Sequence, residues 1–116
     1  MANNQKVLVV NKYKLPVGNS HTSIYIGRGS PFGNPFTVDK YGRDGACDKF
    51  DMYMEEQLAS NKPNPLKSGL YHLVDYVKHS QEPVMLVCFC APKRCHGEAI
   101  KRHIINQLEN NYEASY

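Results

Sequence analysis

The run Val84-Met-Leu-Val-Cys-Phe-Cys90 is apolar at every position, and no other stretch of the chain restricts the fold as much. A surface helix carries one apolar stripe and a half-exposed strand alternates. An unbroken apolar run too short to make a helix of its own reads as a strand covered on both faces, the setting of a parallel sheet. Parallel strands require long crossovers, usually helical. Two further short runs, Lys6–Asn11 (KVLVVN) and Thr22–Ile26 (TSIYI), are β-branched, apolar and ended by turn-forming residues, so they read as the partner strands.

The helical crossovers are legible as periodicity. In 45–60 the apolar residues Phe50, Met54 and Leu58 recur at i, i+4, i+8 opposite Glu55 and Glu56. Asn61-Lys-Pro-Asn-Pro65 then breaks the chain, and 66–79 carries Leu70, Leu73, Val74 and Val77 at helical spacing. After a Pro92-Lys-Arg connection, 98–110 repeats the pattern with Ile100, Ile104 and Leu108, ahead of a polar tail from about 111. The order strand, strand, loop, helix, helix, strand, turn, helix predicts an α/β fold, a small Rossmann-like sandwich with a mostly parallel sheet flanked by helices. At 116 residues the chain is expected to form a single domain, 1–116.

Composition narrows the function. Hydrophobic residues are 41% and charged residues 22%, which argues against disorder and coiled coil. The net charge of +3 suits a small phosphate-bearing ligand better than duplex nucleic acid, which calls for a basic stripe. No apolar stretch approaches the roughly 20 residues needed to cross a bilayer, and the N-terminus lacks a signal-peptide layout, so no membrane association is expected. Four cysteines without an export signal read as free thiols in a cytoplasmic protein. No cofactor is expected, and a homo-oligomer is allowed.

In open α/β sheets, ligands bind beyond the carboxyl ends of the strands. Two unusual loops leave strands at such ends: GRGSPFGNPF (27–36) and CFCAPKRCHG (88–97). If their strands are parallel neighbours, the loops meet on one rim. These two segments resemble the paired signatures, GR-x4-GNPF and C-x-C-x-P-x2-CHG, of the domain of unknown function 4326 family, found in phages and bacteria. The resemblance runs from about Ile24 to about Ile104. It implies a small α/β fold and a shared site at Arg28, Gly33, Asn34, Pro35, Phe36, Cys88, Cys90, Cys95, His96 and Gly97, and it supplies no reaction.

The residues allow several chemistries. For anion binding, Cys95-His96-Gly97 opens a helix whose free N–H groups attract phosphate, with Lys93, Arg94 and Arg28 as cations. Gly33 would admit a ligand close to the backbone, Asn34 would bond a base or ribose, and Phe32, Phe36 or Phe89 would offer a flat surface. For zinc, Cys88, Cys90, Cys95 and His96 have the right chemistry. However, strand neighbours about 6.5–7 Å apart exceed the ~3.8 Å sulfur separation of a tetrahedral site. Cys88 then reads more simply as a packed core thiol. Cys88 to Arg94 fits C-x5-R, the spacing of a phosphatase loop, but Pro92 removes an inward N–H that such a loop needs. Cys95, at a helix start beside His96 and two cations, is the expected low-pKa thiol.

An N-glycosidase or transferase acting on a nucleoside would need a carboxylate. The nearest are Glu98, Asp44 and Asp39, none of them in a paired motif and Glu98 favoured in a first helical turn for stability alone. His21, His72, His79 and His103 lack companions, and Tyr25, Tyr53, Tyr71 and Tyr76 read as core-edge residues. The expectation is a protein that binds a nucleotide or ADP-ribose-like ligand through Arg28, Gly33, Asn34, Pro35, Phe36, Cys90, Lys93, Arg94, Cys95, His96 and Gly97. The resemblance, to a family found in phages, implies a phage protein in the host cell cytoplasm that sequesters a host immune nucleotide signal. A nucleotide N-glycosidase or transferase, and a zinc-binding module, are the alternatives.

Overall fold

The computed structural model describes residues 3–14, 22–91 and 93–110. His21, Pro92 and the expected polar tail lie outside them. The order of elements is α1 (Asn3–Lys6), β1 (Val7–Asn11), a 3-10 turn (Lys12–Lys14), β2 (Thr22–Tyr25), α2 (Val38–Ala59), α3 (Pro65–His79), β3 (Val84–Cys88) and α4 (Gly97–Asn110). The architecture is α/β. The sheet is wholly parallel and β3 is its central strand, in the order β1-β3-β2. Leu86 pairs with Val9 on one side and with Ile24 on the other. No described helix is long and apolar enough to cross a membrane.

All five residues of β3 are buried, as the unbroken apolar run requires. The strand nevertheless stops at Cys88 and not at Cys90. Beyond it, the Asn11 side-chain amide donates to the carbonyls of Phe89 (3.2 Å) and Ala91 (3.0 Å), replacing ladder partners and letting the chain bend. Phe89 is thereby turned out and is 48% exposed. At the other end of the chain, Lys6 closes the short helix α1 and does not open β1.

α2 begins at Val38, well before the amphipathic stretch read from 45. Thr37 caps it by accepting the Lys40 N–H (3.3 Å). The helical periodicity is interrupted at Gly42, whose φ of 72° breaks the helix and hides this first turn from a pattern search. α3 starts at Pro65, one residue ahead of the stretch read from 66, because Asn64 caps it (2.8 Å to Lys67 N–H) and Pro65 fits the first turn.

The helix positions read as apolar stripes face one core. Phe50 and Met54 from α2, Leu70, Leu73 and Val77 from α3, and Ile100 and Ile104 from α4 cluster with Val7, Val84, Leu86 and Cys88 of the sheet. α4 lies against β1 and β3, and α3 packs on α4 and α2. Gly97 permits the close seating of α4, because a Cβ there would stand 2.8 Å from Ile26 Cδ1 and 2.9 Å from Val9 Cγ1.

Leu86, fully buried at the centre of β3, reports on this arrangement. Leu86→Ala is expected to cost about 2–5 kcal/mol in urea unfolding; a loss under about 1 kcal/mol would contradict its place at the middle of the core.

Candidate functional site

Because β2 and β3 are parallel neighbours, the loops that leave them do meet on one rim. The first loop is held by its own polar groups. Ser30 Oγ donates to the Gly27 carbonyl (2.7 Å) and accepts the Phe32 N–H (3.2 Å). A Cβ on Gly33 would lie 2.9 Å from the Gly27 carbonyl oxygen and 3.2 Å from Arg28 Cα, so this glycine admits the loop's own backbone and not a ligand. Asn34 Oδ1 accepts the Phe36 N–H (2.9 Å) and its amide donates to the Ala46 carbonyl (3.1 Å). Its side chain ties the loop to α2, where a contact to a base or ribose was expected. Phe32 is buried in the core and offers no stacking face.

The second loop is equally self-contained. The Lys93 N–H closes a turn on the Cys90 carbonyl (2.9 Å). Arg94, expected to meet a ligand, spends its fork on α2 instead, bonding Asp44 (2.9 Å) and Asp48 (2.8 Å). That geometry also removes the guanidinium from a C-x5-R phosphate cradle. The N-terminus of α4 is not an open anion site: Cys95 Sγ accepts the Gly97 N–H (3.2 Å) and the Cys95 carbonyl accepts that of Glu98 (3.1 Å). His96 Nε2 donates to the Ile26 carbonyl (2.6 Å), clamping the second loop to the end of β2.

Between the loops lies a cavity of about 260 Å³. Of the residues singled out in the sequence, Arg28, Asn34, Phe36, Cys90, Arg94, Cys95 and His96 line it, as do Cys88 and Phe89. Gly33, Pro35, Lys93 and Gly97 do not. The sequence reading missed Tyr25, Val38, Ala46 and Cys47 on its walls and, most consequentially, Arg43. Arg43 donates to the Arg94 carbonyl (3.2 Å) and sets its guanidinium beside the Cys90 sulfur. It follows the Gly42 break within α2, ahead of the stretch whose periodicity announces a helix, so no repeat pattern marks it. Neither Asp nor Glu is among the lining residues.

A family model described as a domain of unknown function, DUF4326, matches residues 9–106. The chain belongs to the DUF4326 family. An uncharacterized 12.4 kDa protein from the nrdA-td intergenic region of Enterobacteria phage T4 is 34% identical over 103 residues, 86% of this chain and 78% of that protein. No solved structure matches.

The thiols of this DUF4326 protein correct a further expectation. Cys95 Sγ donates to Cys88 Sγ across 3.4 Å, and the Ala91 N–H also points at Cys88 Sγ (3.4 Å). Cys88 is therefore the acidic member, drawn below the ordinary thiol range by the Cys95 hydrogen bond above all, whereas that same bond and burial push Cys95 up. The low-pKa thiol lies at the end of β3, not at the start of α4. Burial also raises Cys47. For zinc the geometry offers little: among the described residues no three His, Cys, Asp or Glu side chains are grouped to hold an ion. His96 in addition commits Nε2 to a carbonyl.

Burial lowers the pKa of His96, and of His103 in the same way, so folding favours the neutral form of both. Below the ordinary imidazole pKa the unfolded chain takes up protons that the folded one refuses, and stability falls with pH. The melting temperature is expected to drop from about pH 7 to about pH 5. His96→Gln, whose amide can still donate to Ile26, should flatten part of that drop. A melting temperature level across this range in the wild type would contradict the neutral, buried assignment.

Proposed function

We propose that the protein binds a small nucleotide in the cavity between its two loops, as a ligand-sequestering protein and not an enzyme. The observation that carries this reading is the cavity itself: walls of Phe36, Phe89, Tyr25, Ala46 and cysteine, with Arg28 and Arg43 entering from different elements. Among the described residues neither arginine forms an ion pair, whereas Arg94 and Arg102 do. Apolar walls with a few convergent polar groups are the usual make-up of a small-molecule site. The two guanidiniums suit one phosphate group, and the aromatic walls suit a base.

Size narrows the ligand. The volume of about 260 Å³ falls just below the usual range of ligand pockets, roughly 300–1,000 Å³. It matches a mononucleotide and leaves part of anything as large as ADP-ribose outside.

Cleavage of an N-glycosidic bond is the weaker reading. Such chemistry calls for a carboxylate at the ribose, and the cavity lining has none; Asp44 is held by Arg94 and points away into that pair. A relative is encoded by phage T4, and the role we propose is one in infection, in which the protein would act in the host cytoplasm by withdrawing a nucleotide signal of antiviral defence.

Calorimetric titration with the four ribonucleoside 5′-monophosphates tests the site. Arg28→Ala and Arg43→Ala are each expected to weaken binding by about tenfold or more, the value of a lost charge-assisted hydrogen bond, and to leave the melting temperature nearly unchanged. Lys93→Ala, outside the lining, should bind as wild type does. Unchanged affinity in both arginine variants would sink the assignment. Incubating stoichiometric protein with bound nucleotide, then denaturing it, should release the ligand intact; turnover by a trace of protein would favour the glycosidase.

A further inference from the structure

Three of the exposed aromatic side chains form one continuous patch at the mouth of the cavity. Tyr13 is 81% exposed, Phe89 48% and Tyr25 40%. The Phe89 ring centroid lies 5.8 Å from that of Tyr13 and 6.1 Å from that of Tyr25. Single exposed apolar residues need no explanation, but a contiguous group beside a pocket does. The patch gives the core nothing: Tyr13 and Phe89 are outside the hydrophobic cluster.

The patch is also held in place. Asn11 accepts the Tyr13 N–H (2.9 Å) while its amide donates to the carbonyls of Phe89 and Ala91, so one side chain fixes the backbone under both rings. Lys12 places its ammonium 5.4 Å from the Phe89 centroid, and Arg28 lines the adjoining cavity. The ion pairs of the described residues involve carboxylates of α2 and α3, not groups in this patch. The mouth of the cavity is therefore aromatic and cationic together, the combination that stacks a base and neutralises a phosphate.

From this we infer that the patch is an outer subsite for a second base, and that the ligand class is a dinucleotide. The inference rests on the cavity's being the nucleotide site. One base and its sugar occupy the cavity, the connecting phosphate passes Arg28 and Lys12, and the second base stacks on Phe89 and Tyr13. This also accounts for the size of the cavity, which encloses one nucleotide only. The aromatic array that the sequence reading assigned to core edges is, at Tyr25, part of a ligand surface, and Tyr13 joins it through the 3-10 turn after β1.

The test compares the four ribonucleoside 5′-monophosphates with the matching 5′-phosphorylated homodinucleotides, by calorimetry, on wild type and on Tyr13→Ala. Tyr13 is outside the cavity lining and almost wholly exposed, so its removal spares both the fold and the inner site. In wild type the preferred dinucleotide is expected to bind at least about tenfold more tightly than its monophosphate, within the range of a single base–aromatic stack. In Tyr13→Ala most of that advantage should vanish while monophosphate affinity stays the same. Monophosphate binding with no dinucleotide advantage, or an advantage untouched by Tyr13→Ala, would overturn the outer subsite and leave the inner site standing. No binding of any probe would overturn both. Affinity that continues to climb for homo-oligomers of four and six nucleotides would replace the dinucleotide with a single-stranded nucleic acid.

Discussion

The pairing of β3 with parallel partners on both sides governs what this molecule can present. Because Val84–Cys88 is hydrogen-bonded to β1 and β2 in the same direction, all three strands deliver their carboxyl ends to one edge. The loop after β2, the loop after β3 and the 3-10 turn after β1 therefore share a rim. Burial of β3 makes that edge rigid up to Cys88, and the Asn11 amide then stops the ladder and lifts Phe89 outward. A cavity floor made of Cys88, a mouth made of Phe89 and walls made of the two loops all follow from where that strand ends.

Polar groups at the rim are mostly consumed by the rim itself. Asn34, Ser30, Arg94, His96 and the first amides of α4 each have an internal partner. Buried polar groups are costly to leave unmade, so loops this rich in glycine and proline hold their shape through such bonds. What remains for a ligand is apolar wall, aromatic ring, the guanidinium of Arg28 and the donors of Arg43 that the Arg94 carbonyl leaves open. Recognition by such a set depends on shape, stacking and charge more than on a dense hydrogen-bond code.

Much of this was legible in the amino-acid order, and the rest was not for identifiable reasons. The apolar continuity of β3 and the stripes through Phe50, Leu70 and Ile100 are periodic signals produced by burial, and they locate strands, helices and core. The two loops stood out because Gly, Pro, Cys and His crowd them, and their convergence follows from parallel pairing. The roles inside them did not follow. Whether Asn34 bonds a ribose or Ala46, whether Gly33 admits a ligand or Gly27, and whether Arg94 meets a phosphate or Asp48 depend on contacts between segments far apart in the chain. Arg43 was invisible for the opposite reason: the positive-φ break at Gly42 cuts it off from any recognisable repeat.

The arrangement of acids bears on the proposal that the site holds a ligand and does not transform it. Asp44, Asp48 and Asp51 gather on α2, the element that also supplies Arg43 and Ala46 to the cavity, and any of them turned inward would face a bound phosphate at close range. Arg94 draws Asp44 and Asp48 toward the second loop and Arg102 lies near Asp51. As exposed ion pairs these contribute little stability. Their effect lies in placement, since carboxylates engaged in these pairs are not among the residues that line the cavity with Arg28 and Arg43. The same segregation leaves the lining without the carboxylate that bond cleavage at a ribose would use, so under the binding role proposed above one charge pattern would both favour an anion and leave it intact.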